Sequence, residues 1–247
     1  MIRAVTFDFW DTLVHDDSDE PKRMAQGLQP KNQTRRNFFS EAIRNHHPEL
    51  PERRVDEAWQ TSMAWCHHRW KVEHVTPTLE ERIDAAIQAL GIAAPPSRNA
   101  LIEQIAWMEV QVQPDLVRGV GRCLEALHGL KIGIISDATT SPARALRALL
   151  ADHDLLRFFD HTAFSDEAGG AKPGLRIFHF AATGLGVVPH ELVHIGDREP
   201  HDIAGARRFG ARSILFTGAV DRSPPQTQAT AIAAHMAQIP AIIRSMS

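Results

Sequence analysis

Phe7-Asp8-Phe9-Trp10-Asp11-Thr12-Leu13-Val14 follows directly on the short run IRAVT (residues 2–6) at the start of the chain. Residues 3–9 read as a β-strand, rich in apolar and β-branched side chains. A strand that ends in an Asp, a bulky aromatic pair, a second Asp and a Thr has the form of a phosphate site's mouth. Open α/β sheets bind their ligands beyond such carboxyl ends. Trp10 is the odd member, since an indole stands where catalysis would seem to want another carboxylate.

Further strand-like runs lie at residues 131–136, 161–164, 192–195 and 212–216. Several are nearly continuous in Ile, Val and Phe, which suits strands buried on both faces of a parallel sheet. Helix-like segments at 142–150, 174–184 and 202–209 separate them. The alternation predicts right-handed crossovers and a doubly wound parallel α/β sheet. Residues 15–114 break this rhythm with helix patterns at 33–45, 52–72, 79–90 and 98–112, punctuated by Pro48, Pro51, Pro77, Pro95 and Pro96. Thr78 and Glu81 have the spacing of a capping box. The polar stretch 15–31 reads as loop, and 229–244 as one amphipathic helix interrupted by Pro240. The expected organisation is an α/β core of residues 1–14 and 115–247, with a helical insert over 15–114.

The chain has 247 residues, 43% hydrophobic and 23% charged, with a net charge of −3. That balance predicts neither a nucleic-acid surface nor a basic membrane patch. Cys66 and Cys123 are far apart and in helix-like contexts, as expected for buried reduced thiols. The start of the chain shows no signal-peptide pattern and no segment reaches the length of a membrane span, so a cytoplasmic protein is expected. There is no tyrosine, which removes one acid or nucleophile from every mechanism.

Four candidate positions fall at or just beyond strand ends. They are Asp8 with Asp11 and Thr12; Ser136 at the end of KIGIIS; Lys172 in Gly169-Gly170-Ala171-Lys172-Pro173; and Asp197 with Asp202 in the run GDREPHD. Each alone has a plainer explanation as a turn former, a helix cap or a solvated lysine. Together, and in this order, they resemble the haloacid dehalogenase superfamily of aspartate-nucleophile hydrolases, and the resemblance spans essentially the whole chain. It implies a Rossmann-like core with the insert as a helical cap domain, and hydrolysis of a small phosphorylated metabolite through an aspartyl-phosphate on Asp8. It also implies Mg²⁺ held by Asp8, the backbone carbonyl of Trp10 and Asp197, with Asp202 orienting the site from behind. Ser136 and Lys172 would bind the phosphoryl oxygens, and Thr12 would tie the first loop. A monomer or homodimer is expected, with neither nucleic acid nor membrane as partner.

Trp10 departs from the family's phosphatases, which carry at this place an Asp that protonates the leaving group. Indole has no useful acidity. Three readings stay open. One is a phosphatase with a weak or displaced acid, for which Asp11 is the candidate. Another is a 2-haloacid dehalogenase, since those relatives carry an aromatic residue here, although they lack the acidic pair at Asp197 and Asp202. The third is a catalytically silent phosphate-binding or regulatory protein. Asp137 stands where Asn is commoner, putting a further negative charge near the phosphate pocket or else bonding local backbone. In the insert, His67, His68 and Arg69 are candidate substrate contacts; an amphipathic helix burying its Trp residues would show the same pattern.

Overall fold

The structure, a computed structural model, describes residues 1–246. The chain begins with strand β1 (Ala4–Phe7) and then runs through helices α1 (Glu20–Ala25), α2 (Lys31–Arg44), α3 (Glu52–Glu73), α4 (Leu79–Leu90), α5 (Arg98–Ala106) and α6 (Met108–Gln111). It continues as α7 (Val120–Ala126), β2 (Lys131–Ser136), α8 (Ala143–Asp152), β3 (His161–Phe164), α9 (Ser165–Ala168), α10 (Leu175–Leu185) and β4 (Leu192–Gly196). It closes with α11 (Ala204–Phe209), β5 (Arg212–Phe216), β6 (Ala231–Ala233) and α12 (Ile239–Ser245).

Two compact units emerge. The first comprises Met1–Asp17, Pro114–Asp137 and the chain from Leu150 onward. Its six strands form one parallel sheet in the order β3-β2-β1-β4-β5-β6. Val5, Phe7, Ile134, Ile135, Val193, Ile195, Ile214 and Leu215 have no exposed surface. Each such side chain contributes about 1.5–3 kcal/mol on burial, so the continuous apolar runs are what hold the sheet between its helices. Phe7 pairs with Ile134 on one side and Ile195 on the other, which puts the ends of β1, β2 and β4 level. β1 is also where the strand order turns back, and the mouth beside such a switch point is the expected ligand crevice.

Two tail and loop expectations need correction. Residues 229–244 are not one helix: Ala231–Ala233 adds a parallel sixth strand beside β5, and α12 begins only at Ile239, with Pro240 in its first turn. Pairing with the open edge of β5 overrides the helix preference of an alanine-rich segment. Within 15–31, residues Glu20–Ala25 are helical, with Pro21 in the first turn, where its missing N–H costs nothing.

The second unit, Ser18–Gln113 with Ala138–Leu149, is helical. Its own core gathers Phe39, Ile43, Val55, Trp59, Ile83, Ile87, Leu101 and Ile105 from α2 to α5. No helix among the described residues is long and apolar enough to cross a membrane. α4 starts at the foreseen box: Thr78 Oγ1 accepts from the Glu81 amide at 3.1 Å and Glu81 Oε2 accepts from the Thr78 amide at 2.8 Å. Thr78→Ala is therefore expected to lower stability by about 1 kcal/mol, read as a shift in the urea midpoint at constant m-value. An unchanged midpoint would mean the cap contributes nothing.

Candidate active site

The residue after β1, Asp8, extends the ladder by one step, its amide donating to the Ile195 carbonyl at 2.8 Å. That fixes its carboxylate at the mouth of the sheet. The chain then folds back tightly: the amides of Leu13 and Val14 both donate to the Phe9 carbonyl, at 2.9 and 3.0 Å. Asp11 closes the turn in the left-handed region at φ 52°, which Asp tolerates better than most residues. The half-buried Trp10 ring stands edge-on to Phe9, their centroids 4.9 Å apart.

Lys172 is the centre of the arrangement. Its Nζ donates to Asp8 Oδ1 at 2.6 Å and to Asp202 Oδ1 at 2.5 Å, and all three side chains are buried. Asp202 is a fully used acceptor. Besides Lys172 it takes His194 Nε2 on Oδ1 at 3.1 Å and the Arg198 amide on Oδ2 at 2.9 Å. Because an ionised carboxylate only accepts, His194 Nε2 carries the hydrogen; Nδ1 faces Thr6 Oγ1 at 3.0 Å, across the β1–β4 pairing. Gly196 makes room for this: a Cβ there would lie 2.2 Å from Asp202 Cγ. Asp137 Oδ1 accepts the Lys172 amide at 2.9 Å, so this carboxylate fixes the lysine's loop.

The electrostatics follow from crowding. Burial pushes the Asp8 carboxyl up, with Lys172 pulling against it and Asp202 adding to it. Burial would lower Lys172, but the charges of Asp202 and Asp8 outweigh it and hold the ammonium above its ordinary value. Burial would raise Asp202, yet the Lys172 charge and the His194 hydrogen bond hold its carboxyl well below the usual range. Asp197, directly after β4, is pushed up to about 7 by burial and then by Asp8 and Asp202, which outweigh the charges of Arg222 and Arg198.

Carboxylate oxygens of Asp8, Asp197 and Asp202 lie within 4.8 Å of one another. Asp197 Oδ1 is buried without a hydrogen-bond partner, as are Ser136 Oγ and Thr12 Oγ1. Four acids, Asp8, Asp11, Asp197 and Asp202, meet three cations, Lys172, Arg222 and, at 3.8 Å from Asp197, Arg198. The donor set is all oxygen and the charge excess is negative, so the residues fit a hard divalent cation, with Asp8 and Asp197 free to offer oxygens.

The sequence-derived residues Asp8, Ser136, Lys172, Asp197 and Asp202 thus come together. Asp11 is buried beside them, but both its oxygens are engaged: Oδ1 accepts the Asp16 amide at 3.0 Å and Oδ2 pairs with Arg222 Nη2 at 2.7 Å. Arg222 also binds Asp197, and nothing in its polar loop marked it in advance. His194 did leave a signal, as the polar residue in an otherwise apolar strand, LVHIG. His67, His68 and Arg69 lie toward the end of α3. His67 and His68 are exposed, and Arg69 pairs with Glu73 at 3.1 Å.

Residues 2–210 match the haloacid dehalogenase-like hydrolase family, and the chain belongs to it. Haloacid dehalogenase-like hydrolase domain-containing protein 3 of Bos taurus is 27% identical over 236 residues, 91% of this chain and 88% of that protein. The Xenopus laevis protein of that name is 35% identical over 127 residues, and the match spans about half of each chain, 51% and 49%. A glyceraldehyde 3-phosphate phosphatase of Methanothermobacter thermautotrophicus is 36% identical over 87 residues, 35% of this chain and 37% of that one. Among solved structures, a 2-haloacid dehalogenase of Pseudomonas syringae pv. Tomato DC3000 superposes with a TM-score of 0.67 at 20% identity, covering 100% of both chains. That likeness establishes the shared fold.

The raised Asp197 gives the site a pH signature. Below its value of about 7 a cation must displace a proton from Asp197, and above it the carboxylate is already bare. Mg²⁺ affinity is therefore expected to rise with pH through 7, by about tenfold from pH 6 to pH 8. Calorimetric titration at the two pH values reads this directly, and a flat profile would put the cation elsewhere.

Proposed function

We propose that the chain is a Mg²⁺-dependent phosphatase acting on a small phosphorylated metabolite, with Asp8 as nucleophile. The observation that carries this is Lys172 held between Asp8 and Asp202 at the sheet mouth, with the bare Asp197 oxygen beside them. Lys172 occupies Asp8 Oδ1, so Oδ2 is the oxygen left to attack. It would form a bond to phosphorus as the bond to the leaving oxygen breaks, giving an aspartyl-phosphate. Water then attacks phosphorus, the bond to Asp8 breaks, and phosphate and the free carboxylate return. Ser136 Oγ, buried without a partner, would donate to the phosphoryl oxygens, and Lys172 would balance their charge. Asp8, the Trp10 carbonyl and Asp197 would hold Mg²⁺, which supplies charge neutralisation that lets a carboxylate approach a phosphate. The helical unit is read as the cap domain that selects the substrate.

Proton transfer is the weak step. Trp10 supplies no acid, and Asp11 is tied to Arg222 and the Asp16 amide. Absence of a general acid costs about 10²- to 10⁴-fold on a poor leaving group. Substrates whose leaving group departs unprotonated, such as acyl phosphates, suit the site best. The aromatic side chain at position 10 favours 2-haloacid dehalogenation as a second reading, because halide also leaves without a proton. Asp197 argues against it, as a metal-free site has no use for a third buried carboxylate.

Acetyl phosphate and p-nitrophenyl phosphate are expected to turn over only with Mg²⁺, and Asp8→Asn should abolish turnover. Trp10→Asp is expected to raise the rate on alkyl phosphates by about 10²-fold while changing acetyl phosphate much less. No turnover of either substrate by either protein would sink the phosphatase reading. Activity on 2-haloacids would then favour the second reading, and phosphate binding without turnover a silent binder.

A further inference from the structure

The helical unit holds a second group of buried charges. Arg82, on α4, is 2% exposed, and its Nε and Nη2 have no hydrogen-bond partner. Its Nη1 reaches only the Thr139 carbonyl, at 3.4 Å. Arg35, on α2, is buried beside it; Glu109 holds its Nη2 and Asn32 its Nη1, while Nε is bare. Glu109 is also 3.9 Å from Lys31, which bonds Asp19 at 2.7 Å. Three buried cations, Lys31, Arg35 and Arg82, therefore share two buried acids. Burial, and after it the Arg35 charge, brings the Arg82 guanidinium down to about 10. The Trp59 ring, 5.9 Å away, offsets part of the cost without accepting a hydrogen bond.

Both arginines line a cavity of about 310 Å³ whose other walls include Asn32, Trp59 and Met63. Arg36, the third arginine there, is taken up by Asp56. Glu109 Oε2 is bare as well and so makes no hydrogen bond to Arg82, whose two bare donor nitrogens offer charge-assisted hydrogen bonds to an acceptor arriving from outside. The volume suits a small ligand, and the ring and thioether suit an apolar body.

We propose that this cavity is an oxyanion site, in which Arg82 and Arg35 hold the carboxylate or phosphate of a small organic anion whose body lies against Trp59 and Met63. The inference does not rest on the phosphatase reading, and its test reads the pocket itself. In the ¹⁵N-labelled full chain, the arginine Nε–H signals, assigned through bonds, are followed during titration with inorganic phosphate and, separately, with benzoate. The Arg82 and Arg35 Nε signals are expected to shift together and saturably with at least one probe. Phosphate alone would mark a phosphate-headed ligand, benzoate alone a carboxylate. Benzoate that shifts Arg82 and competes with acetyl phosphate would make the anion the substrate's own far end; a shift without competition would make it a separate ligand. In Arg82→Met the Arg35 shift should require about tenfold more probe. Signals unmoved by both probes, or a linear drift without saturation, would overturn the proposal whether or not the protein hydrolyses phosphates.

Discussion

Two carboxylates cannot be buried side by side without something positive between them, and in this protein that is Lys172. Its ammonium lies at hydrogen-bond distance from Asp8 and Asp202, and all three are out of water. Each close pair gains on the order of 4 kcal/mol in a protein-like dielectric. Stripping water from each ion costs several kcal/mol, and the two acids also repel. These contributions nearly cancel, so the remaining hydrogen bonds decide whether the cluster stands. That gives meaning to the surroundings: the His194 and Arg198 donors on Asp202, the bare Gly196 that admits it, and Asp137 holding the Lys172 amide. The parallel register of β1, β2 and β4 is what brings these supports level.

The same geometry separates the two acids nearest Asp8 by role. Asp202 is saturated with donors and held low, so it acts as a fixed anchor for the lysine. Asp197 is raised to about 7 and keeps one oxygen bare, which leaves it able to take up a proton or, on the reading proposed above, a cation. Arg222 partly fills that demand from its loop, joining Asp197 to Asp11. Asp11 is thereby spent on structure. On the phosphatase reading proposed above, a proton donor for the leaving group is then missing on both sides of the first loop, at Trp10 by chemistry and at Asp11 by pairing.

Much of this fold is legible in the sequence alone. Continuous apolar runs marked five of the six strands because a strand buried on both faces has no polar side to show. The shared location of the strand-end acids, Ser136 and Lys172 was legible because their motifs follow the strands of one parallel sheet, whose carboxyl ends lie on the same side. The Thr78–Glu81 box was legible because capping is local in sequence. β6 was not: AIA is three residues long, and only the open edge of β5 makes it a strand. α1 was hidden in a polar stretch, where charge obscured the helix start at Glu20-Pro21. Arg222, Arg35 and Arg82 carry no pattern in the sequence that singles them out. Their meaning comes from partners distant in sequence, such as Asp11 for Arg222 and Glu109 for Arg35, which no local pattern announces.

The two charged clusters obey one rule with opposite signs. A buried group of ions in a folded chain is tolerable when its charges match, and any excess must be met by relaxation, by a proton or by a ligand. At the sheet mouth the excess is acidic, with four carboxylates against Lys172, Arg222 and Arg198, and together with burial it raises Asp197. In the helical unit the excess is basic, with Lys31, Arg35 and Arg82 against Asp19 and Glu109, and it shows as a lowered Arg82. Arginine cannot escape by giving up its proton near neutral pH, because even at about 10 it stays charged. Aspartate at about 7 can. The sheet mouth can therefore discharge its excess onto a proton or a cation, whereas the arginine pocket cannot use a proton. An anion from solution would meet both the charge and the bare nitrogens of Arg82, so under the proposal above the sign of the uncompensated charge sets what each cluster would bind.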